Sequence, residues 1–165
     1  MSEFFRTVLA GETATRQLAA QLAGLAHPGD LIALEGDLGA GKSTFARAFI
    51  RAAADDPGLD VPSPTFTLVQ TYEAASGLPI IHTDLYRLAG PDDVADLGLE
   101  DEMPEAVTLA EWPDRLADDW RAKALFVRLG FTPDDAKGKR ALSLASDQPA
   151  WRDRLHPLLA PTDAE

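Results

Sequence analysis

The chain has 165 residues, 45% of them hydrophobic and 25% charged, carries a net charge of -12 and contains no cysteine. Those numbers fit a single globular domain over residues 1–159, with a core of its own and little room for a second large domain. They exclude disulfides, zinc–thiolate sites and thiol nucleophiles, and they oppose direct docking on a phosphate backbone, so nucleic acid should be reached only through a partner.

In chain order, Phe4 to Leu9 alternates weakly as an edge strand does, and Glu12 to Ala26 repeats Ala14, Leu18, Leu22 and Leu25 at helical spacing before Pro28-Gly29 stops it. Leu31 to Glu35 reads as a buried strand and Thr44 to Ala54 as a helix ended by Asp56-Pro57-Gly58. Pro62-Ser63-Pro64 is held extended by its prolines, and Phe66 to Tyr72 and Leu78 to Thr83 flank a Ser76-Gly77 turn as in a hairpin. Pro91 to Leu99 reads as a short acidic helix broken at Gly98, Ala106 to Ala110 as a buried strand and Pro113 to Arg121 as a short helix. Lys123 to Phe131 and Arg140 to Ala145 read as late strands around a basic Lys137-Gly138-Lys139 turn. Ala150 to Leu159 reads as a helix, and Ala160 to Glu165 as a frayed tail. The alternation predicts an α/β fold: a mostly parallel central sheet flanked by helices, with antiparallel strands added. Apolar runs of about four residues fall far below the ~18 of a membrane span, so a soluble, cytoplasmic protein is expected.

Between the Leu31–Leu34 strand and the following helix lies Gly36-Asp37-Leu38-Gly39-Ala40-Gly41-Lys42-Ser43, the spacing G-x-x-x-x-G-K-[ST] of a phosphate loop. Glycines let the backbone curl so that successive amides face an anion without Cβ crowding. Lys42 adds a point charge for the outer phosphates, Ser43 a hydroxyl for Mg²⁺, and the helix beginning near Thr44 its partly positive end. A glycine-rich turn with a chance lysine is the alternative, and the strand and helix on either side argue against it.

Such a loop needs acids near the metal, at the ends of neighbouring buried strands. Asp84 follows Pro79 to Thr83, and Glu111 follows Val107 to Ala110; either could hold the ion or orient water, or simply cap the turn that follows. His82 projects on the same face as Asp84 and reads as a packed or hydrogen-bonded neighbour. Trp112 is core by default, although its place beside Glu111 suits a nucleotide or partner contact. Thr65, on the proline-stiffened loop, sits where switch threonines sense metal and γ-phosphate, or else the prolines only set the entry to the next strand.

The absence of any asparagine removes the N-K-x-D guanine motif, and Arg87 is the one arginine between Gly58 and Asp114, which leaves a metabolite kinase without the arginines of a closing lid. Nine acids and no base lie between Leu88 and Asp114, either as a solvated face or as a docking surface for a basic partner.

With GDLGAGKST at Gly36 to Thr44, SPTF at Ser63 to Phe66, HTDLYRL at His82 to Leu88 and EWP at Glu111 to Pro113, the chain resembles the TsaE (YjeE) family of small ATPases of bacterial tRNA threonylcarbamoyladenosine formation. The resemblance covers most of residues 12 to 113 and is weak after Leu116. It implies that Gly39, Ala40, Gly41, Lys42, Ser43 and Thr44 bind ATP, that Ser43 and Glu111 hold Mg²⁺, and that Lys42, Asp84 and Thr65 serve hydrolysis with Glu111. By the same resemblance Glu12 and Gly138 lie near the nucleotide. The family usually has threonine where this chain has Ser43, a change that keeps the hydroxyl. It further implies work with the TsaD and TsaB proteins, which transfer the threonylcarbamoyl group to adenosine 37 of tRNA, this chain touching tRNA only indirectly. A small-molecule kinase and a nucleotide-gated binding module with negligible turnover are the rival expectations.

Overall fold

The computed structural model describes residues 2–133 and 138–159. Seven strands form one sheet: β1 (Ser2–Leu9), β2 (Leu31–Glu35), β3 (Val69–Glu73), β4 (Pro79–Asp84), β5 (Val107–Glu111), β6 (Leu125–Phe131) and β7 (Arg140–Ser146). Their order is β1-β7-β6-β2-β5-β4-β3. The four central strands, β6-β2-β5-β4, are mutually parallel, while β7, β1 and β3 are added antiparallel at the two sides. This is the expected α/β architecture, and Phe4–Leu9 does lie in an edge strand.

Helices α1 (Glu12–Ala23), α2 (Lys42–Ala54) and α5 (Pro149–Leu159) cover one face. Leu18, Leu22, Phe45, Phe49, Trp151 and Leu155 pack there on Ile32, Leu34, Ile80, Leu109 and Val127. Strand side chains alternate between faces, so the other face presents Leu31, Ala33, Ile81, Ala110 and Phe126. These pack against Leu85, Leu99, Met103 and Leu116, carried by the short α3 (Pro91–Ala95), 3-10 turns at Leu99–Asp101, Met103–Glu105 and Pro113–Arg115, and α4 (Asp118–Arg121). Helix α5 is pinned by a half-buried ion pair, Arg154 Nη1 to Asp30 Oδ2 at 2.6 Å, and by Trp151 Nε1 donating to the Lys123 carbonyl.

Several boundaries differ from the sequence reading. Helix α1 ends at Ala23, where the Gly24 amide bonds back to the Ala20 carbonyl. Phe66 to Leu68 is a turn instead of the start of a strand: Leu68 adopts φ 67°, its amide donates to the Pro64 carbonyl, and its own carbonyl accepts from Asp84 N and Thr83 Oγ1. The acidic helix stops at Ala95. The expected helix over Pro113 to Arg121 breaks in two because Leu116 and Ala117 are extended, with ψ 149° and 154°. The acids around it nonetheless face outward, Asp92, Asp96, Glu100, Asp101, Glu102 and Glu105 being exposed while Leu99 and Met103 are buried. Lys137 and the tail Ala160–Glu165 lie outside the described residues.

Candidate nucleotide-binding site

The parallel block fixes where the chemistry sits. Leu34 pairs with Glu111 and Glu111 with Asp84, so β2, β4 and β5 end at one level, beyond the carboxyl edge where open α/β sheets bind ligands. The loop from β2 to α2 curls over that edge. Gly36 has φ 153°, and a Cβ there would fall inside van der Waals contact of the Leu129 carbonyl oxygen of β6. Gly41, φ 115°, turns the chain directly into α2. Only glycine meets both demands at Gly36, the backbone angle and the close approach of β6.

A cleft of ≈ 290 Å³ opens between this loop and the strand ends. Gly39, Gly41, Lys42, Ser43, Thr44, Thr65, Asp84 and Glu111, all expected from sequence, line it together with Leu38, Ser63 and Trp112. Ala40 does not reach the cleft; it is 1% exposed and props the loop from beneath. Helix α2 begins at Lys42, two residues earlier than the apolar pattern indicates, which brings Lys42, Ser43 and Thr44 into its first turn, where amides lack intrahelical acceptors.

Lys42, 6% exposed, donates to the Gly36 carbonyl and sits 3.6 Å from the centroid of the Trp112 ring. Burial pushes its ammonium below the ordinary lysine value, against the opposing pull of Glu111, Asp84 and Asp37. Trp112 holds φ 58°, a left-handed conformation costly for a bulky residue. It also packs at a tilt of 50° on Tyr86, ring centroids 4.9 Å apart, and it walls the cleft while resting half-buried on the core cluster of the second face.

The two acids have different surroundings. Glu111 Oε1 lies 3.5 Å from the Ser43 hydroxyl, and Oε2 lies 2.8 Å from His82 Nε2. Asp84 is tied on both oxygens: Oδ2 accepts from Thr65 Oγ1 at 3.2 Å and Oδ1 from the Tyr86 amide at 3.0 Å. Thr65 is 2.8 Å from Ser63 Oγ, so the Ser63–Thr65 loop reads the end of β4 directly. The donor set fits a hard cation: a hydroxyl and a carboxylate oxygen lie together, and oxygen ligands of this kind are what Mg²⁺ prefers. Among the described residues no group of three His, Cys, Asp or Glu forms an all-protein cage.

Two expected contacts lie farther out. Glu12 is ion-paired with Arg16 and lines a separate groove of ≈ 560 Å³ between α1 and α2, which meets the cleft at Thr44. Gly138, exposed with φ 68°, belongs to the β6–β7 connection. Arg140, at the start of β7, donates to the Gly39 carbonyl at 3.4 Å. Ser63, a cleft residue, was within a recognised motif yet carried no signal of its own beyond its neighbouring prolines. The His82–Glu111 contact depends on strand register, which the sequence does not display.

Residues 9–141 match the family model "Threonylcarbamoyl adenosine biosynthesis protein TsaE". A tRNA threonylcarbamoyladenosine biosynthesis protein TsaE from Rickettsia bellii is 34% identical over 132 residues, spanning 80% of this chain and 90% of that protein. The protein of the same name from Bacillus subtilis is 37% identical over 136 residues, 81% and 80% of the two chains. The match to the Rickettsia felis protein, 40% identical, spans 61% of that relative's length. The crystal structure of Bacillus subtilis YdiB superposes with a TM-score of 0.72 at 25% identity, covering 96% of both chains. With the family model matched over residues 9–141 and relatives at 34% and 37% identity spanning most of both chains, the chain belongs to the TsaE family.

Proposed function

We propose that this chain binds ATP with Mg²⁺ and hydrolyses it as the ATPase component of tRNA threonylcarbamoyladenosine formation, the process named in its relatives' titles. The observation that carries the reading is the convergence of Ser43 Oγ and Glu111 Oε1 beside the buried Lys42 ammonium. A hydroxyl and a carboxylate brought together from positions 68 residues apart would suit a hard divalent cation that neutralises phosphate charge.

In this reading the loop amides and Lys42 grip the β and γ phosphates, and Ser43 and Glu111 hold Mg²⁺, which supplies neutralisation of charge on the transferred phosphoryl group. Asp84 and Thr65 then remain to orient the attacking water, and the Thr65–Asp84 bond gives the Ser63–Thr65 loop a contact that the γ-phosphate can rearrange. Glu12 and the Gly138 connection flank the nucleoside end. No described helix is long and apolar enough to cross a membrane, and we assign the work to the cytoplasm. TsaD and TsaB are the proposed partners, reached through the outward acids between Asp92 and Glu105, with tRNA held by them and not by this acidic chain.

Phosphate release measured alone and with TsaD and TsaB tests this. The wild-type rate should rise with the partners, and Glu111→Gln should lower the stimulated rate ~10²-fold or more while leaving the fold intact. Tight ATP binding with no partner-stimulated release would instead support a nucleotide-gated binding module, and a phosphorylated metabolite a kinase.

A further inference from the structure

We infer that His82 is a positioning residue that fixes the Glu111 carboxylate so that one oxygen alone is offered to the metal. The inference rests on the reading of Glu111 as a magnesium ligand and extends it to a residue that has no role in that reading.

Strand register places the pair. His82 stands opposite Leu109 and Asp84 opposite Glu111, so His82 and Glu111 share the α1–α2 face of the sheet, one step apart along the strands. Both are nearly sealed from solvent, at 2% and 3% exposure. Their contact, Nε2 to Oε2 at 2.8 Å, is the shorter of the two hydrogen bonds made among the described residues by a side chain with three rotatable bonds, the other running from Ser43 to Oε1 at 3.5 Å.

A carboxylate only accepts, so Nε2 carries the hydrogen. Nδ1 is buried and without a protein partner among the described residues, so Nε2 is the ring nitrogen that ties His82 to the site. With Oε2 engaged, the torsion of the carboxylate is set and Oε1 is the oxygen that faces Ser43, 3.5 Å away. Asp84 shows the contrast. Thr65 and the Tyr86 amide occupy both of its oxygens, and no histidine supports it. Partners one step behind a metal ligand commonly govern its orientation, and their loss lowers metal affinity ~10- to 100-fold.

A histidine that merely fills the core would influence folding and leave magnesium untouched. The test is therefore the affinity for ADP, measured by calorimetry in EDTA and in excess Mg²⁺, with thermal melting as the control for folding. In wild type Mg²⁺ should tighten ADP binding. In His82→Phe the EDTA value should stay unchanged while the tightening falls ~10- to 100-fold, and His82→Gln, whose amide N–H can reach a similar point, should restore most of it. If His82→Phe does not fold, His82→Leu takes its place. In a Glu111→Gln background either substitution should have no further effect on the tightening.

Full magnesium tightening in a folded His82→Phe or His82→Leu variant, alongside its loss in Glu111→Gln, would overturn the positioning role alone. Equal tightening in wild type and Glu111→Gln would overturn both the role of Glu111 and that of His82.

Discussion

Gly36→Ala separates a loop that must be glycine from one that merely contains it. The added Cβ would press on the Leu129 carbonyl oxygen and approach Ala40 Cβ to 3.3 Å, at a φ of 153° that side-chain-bearing residues avoid. The obstacle is backbone in β6, which is paired to β2 on one side and β7 on the other, so it cannot swing aside as a side chain would. Overpacking costs ~1–3 kcal/mol and the backbone angle a further ~1–3 kcal/mol. At ~2–4 °C per kcal/mol for a chain of this size, a fall in melting temperature on the order of 10 °C is expected. Two other glycines isolate the terms. Gly77→Ala has open space but φ 91° and should cost only the backbone share, ~1 kcal/mol. Gly130→Ala, in β6 with nothing near its Cβ site, should gain ~0.5–1 kcal/mol from a less flexible unfolded chain. Thermal melts of the three variants check the order, and ADP titration should show that Gly36→Ala also weakens binding, because relieving the clash would shift the carbonyl that accepts from Lys42. A Gly36→Ala variant melting with wild type would refute the steric reasoning.

Lys42→Met should abolish nucleotide binding yet leave the empty protein at least as stable as wild type, since a buried charge is removed. The pH dependence follows from the lowered pKa of Lys42: the unfolded chain holds this proton to higher pH than the folded one, so wild-type stability should gain on Lys42→Met as pH climbs from the folded value towards 10.5. Urea titrations at stepped pH would show a parallel pair of curves if the ammonium were not penalised by burial. Arg154→Met should cost ~1–3 kcal/mol by leaving Asp30, 8% exposed, with the His27 amide as the remaining partner of its side chain among the described residues. Urea unfolding measures it, and nucleotide affinity should not change, because α5 lies away from the strand ends; a loss of ADP binding would contradict that separation.

The phosphate loop was legible because its chemistry is written in adjacent residues: Gly36 through Ser43 carry the glycine spacing, and Leu31–Leu34 and the run from Thr44 supply the flanks. The strand-end acids were legible as a pair for a similar reason, each closing an apolar run. Their division of labour was not. Glu111 faces Ser43 and Asp84 faces Thr65 because β4 and β5 align in parallel at one register, and nothing local to either strand encodes that pairing. Phe66 to Leu68 misled for the same physical reason. Strand-forming side chains favour extension, but the Leu68 carbonyl is claimed by Asp84 N and Thr83 Oγ1, and these tertiary bonds hold the segment in a turn despite its propensity. Pro113 to Arg121 likewise reads as one helix by composition, whereas Leu116 leaves the helical path to bury its side chain under the sheet, at 5% exposure.

Loop amides, Lys42, Ser43 and Glu111 are proposed to form a triphosphate site completed by magnesium. Calorimetric titration of ATP with Mg²⁺ into wild type and Lys42→Met measures it most directly. One site per chain in wild type, lost in the variant, is the result predicted here. No heat from folded wild type, with or without TsaD and TsaB, or equal binding by Lys42→Met, would contradict it.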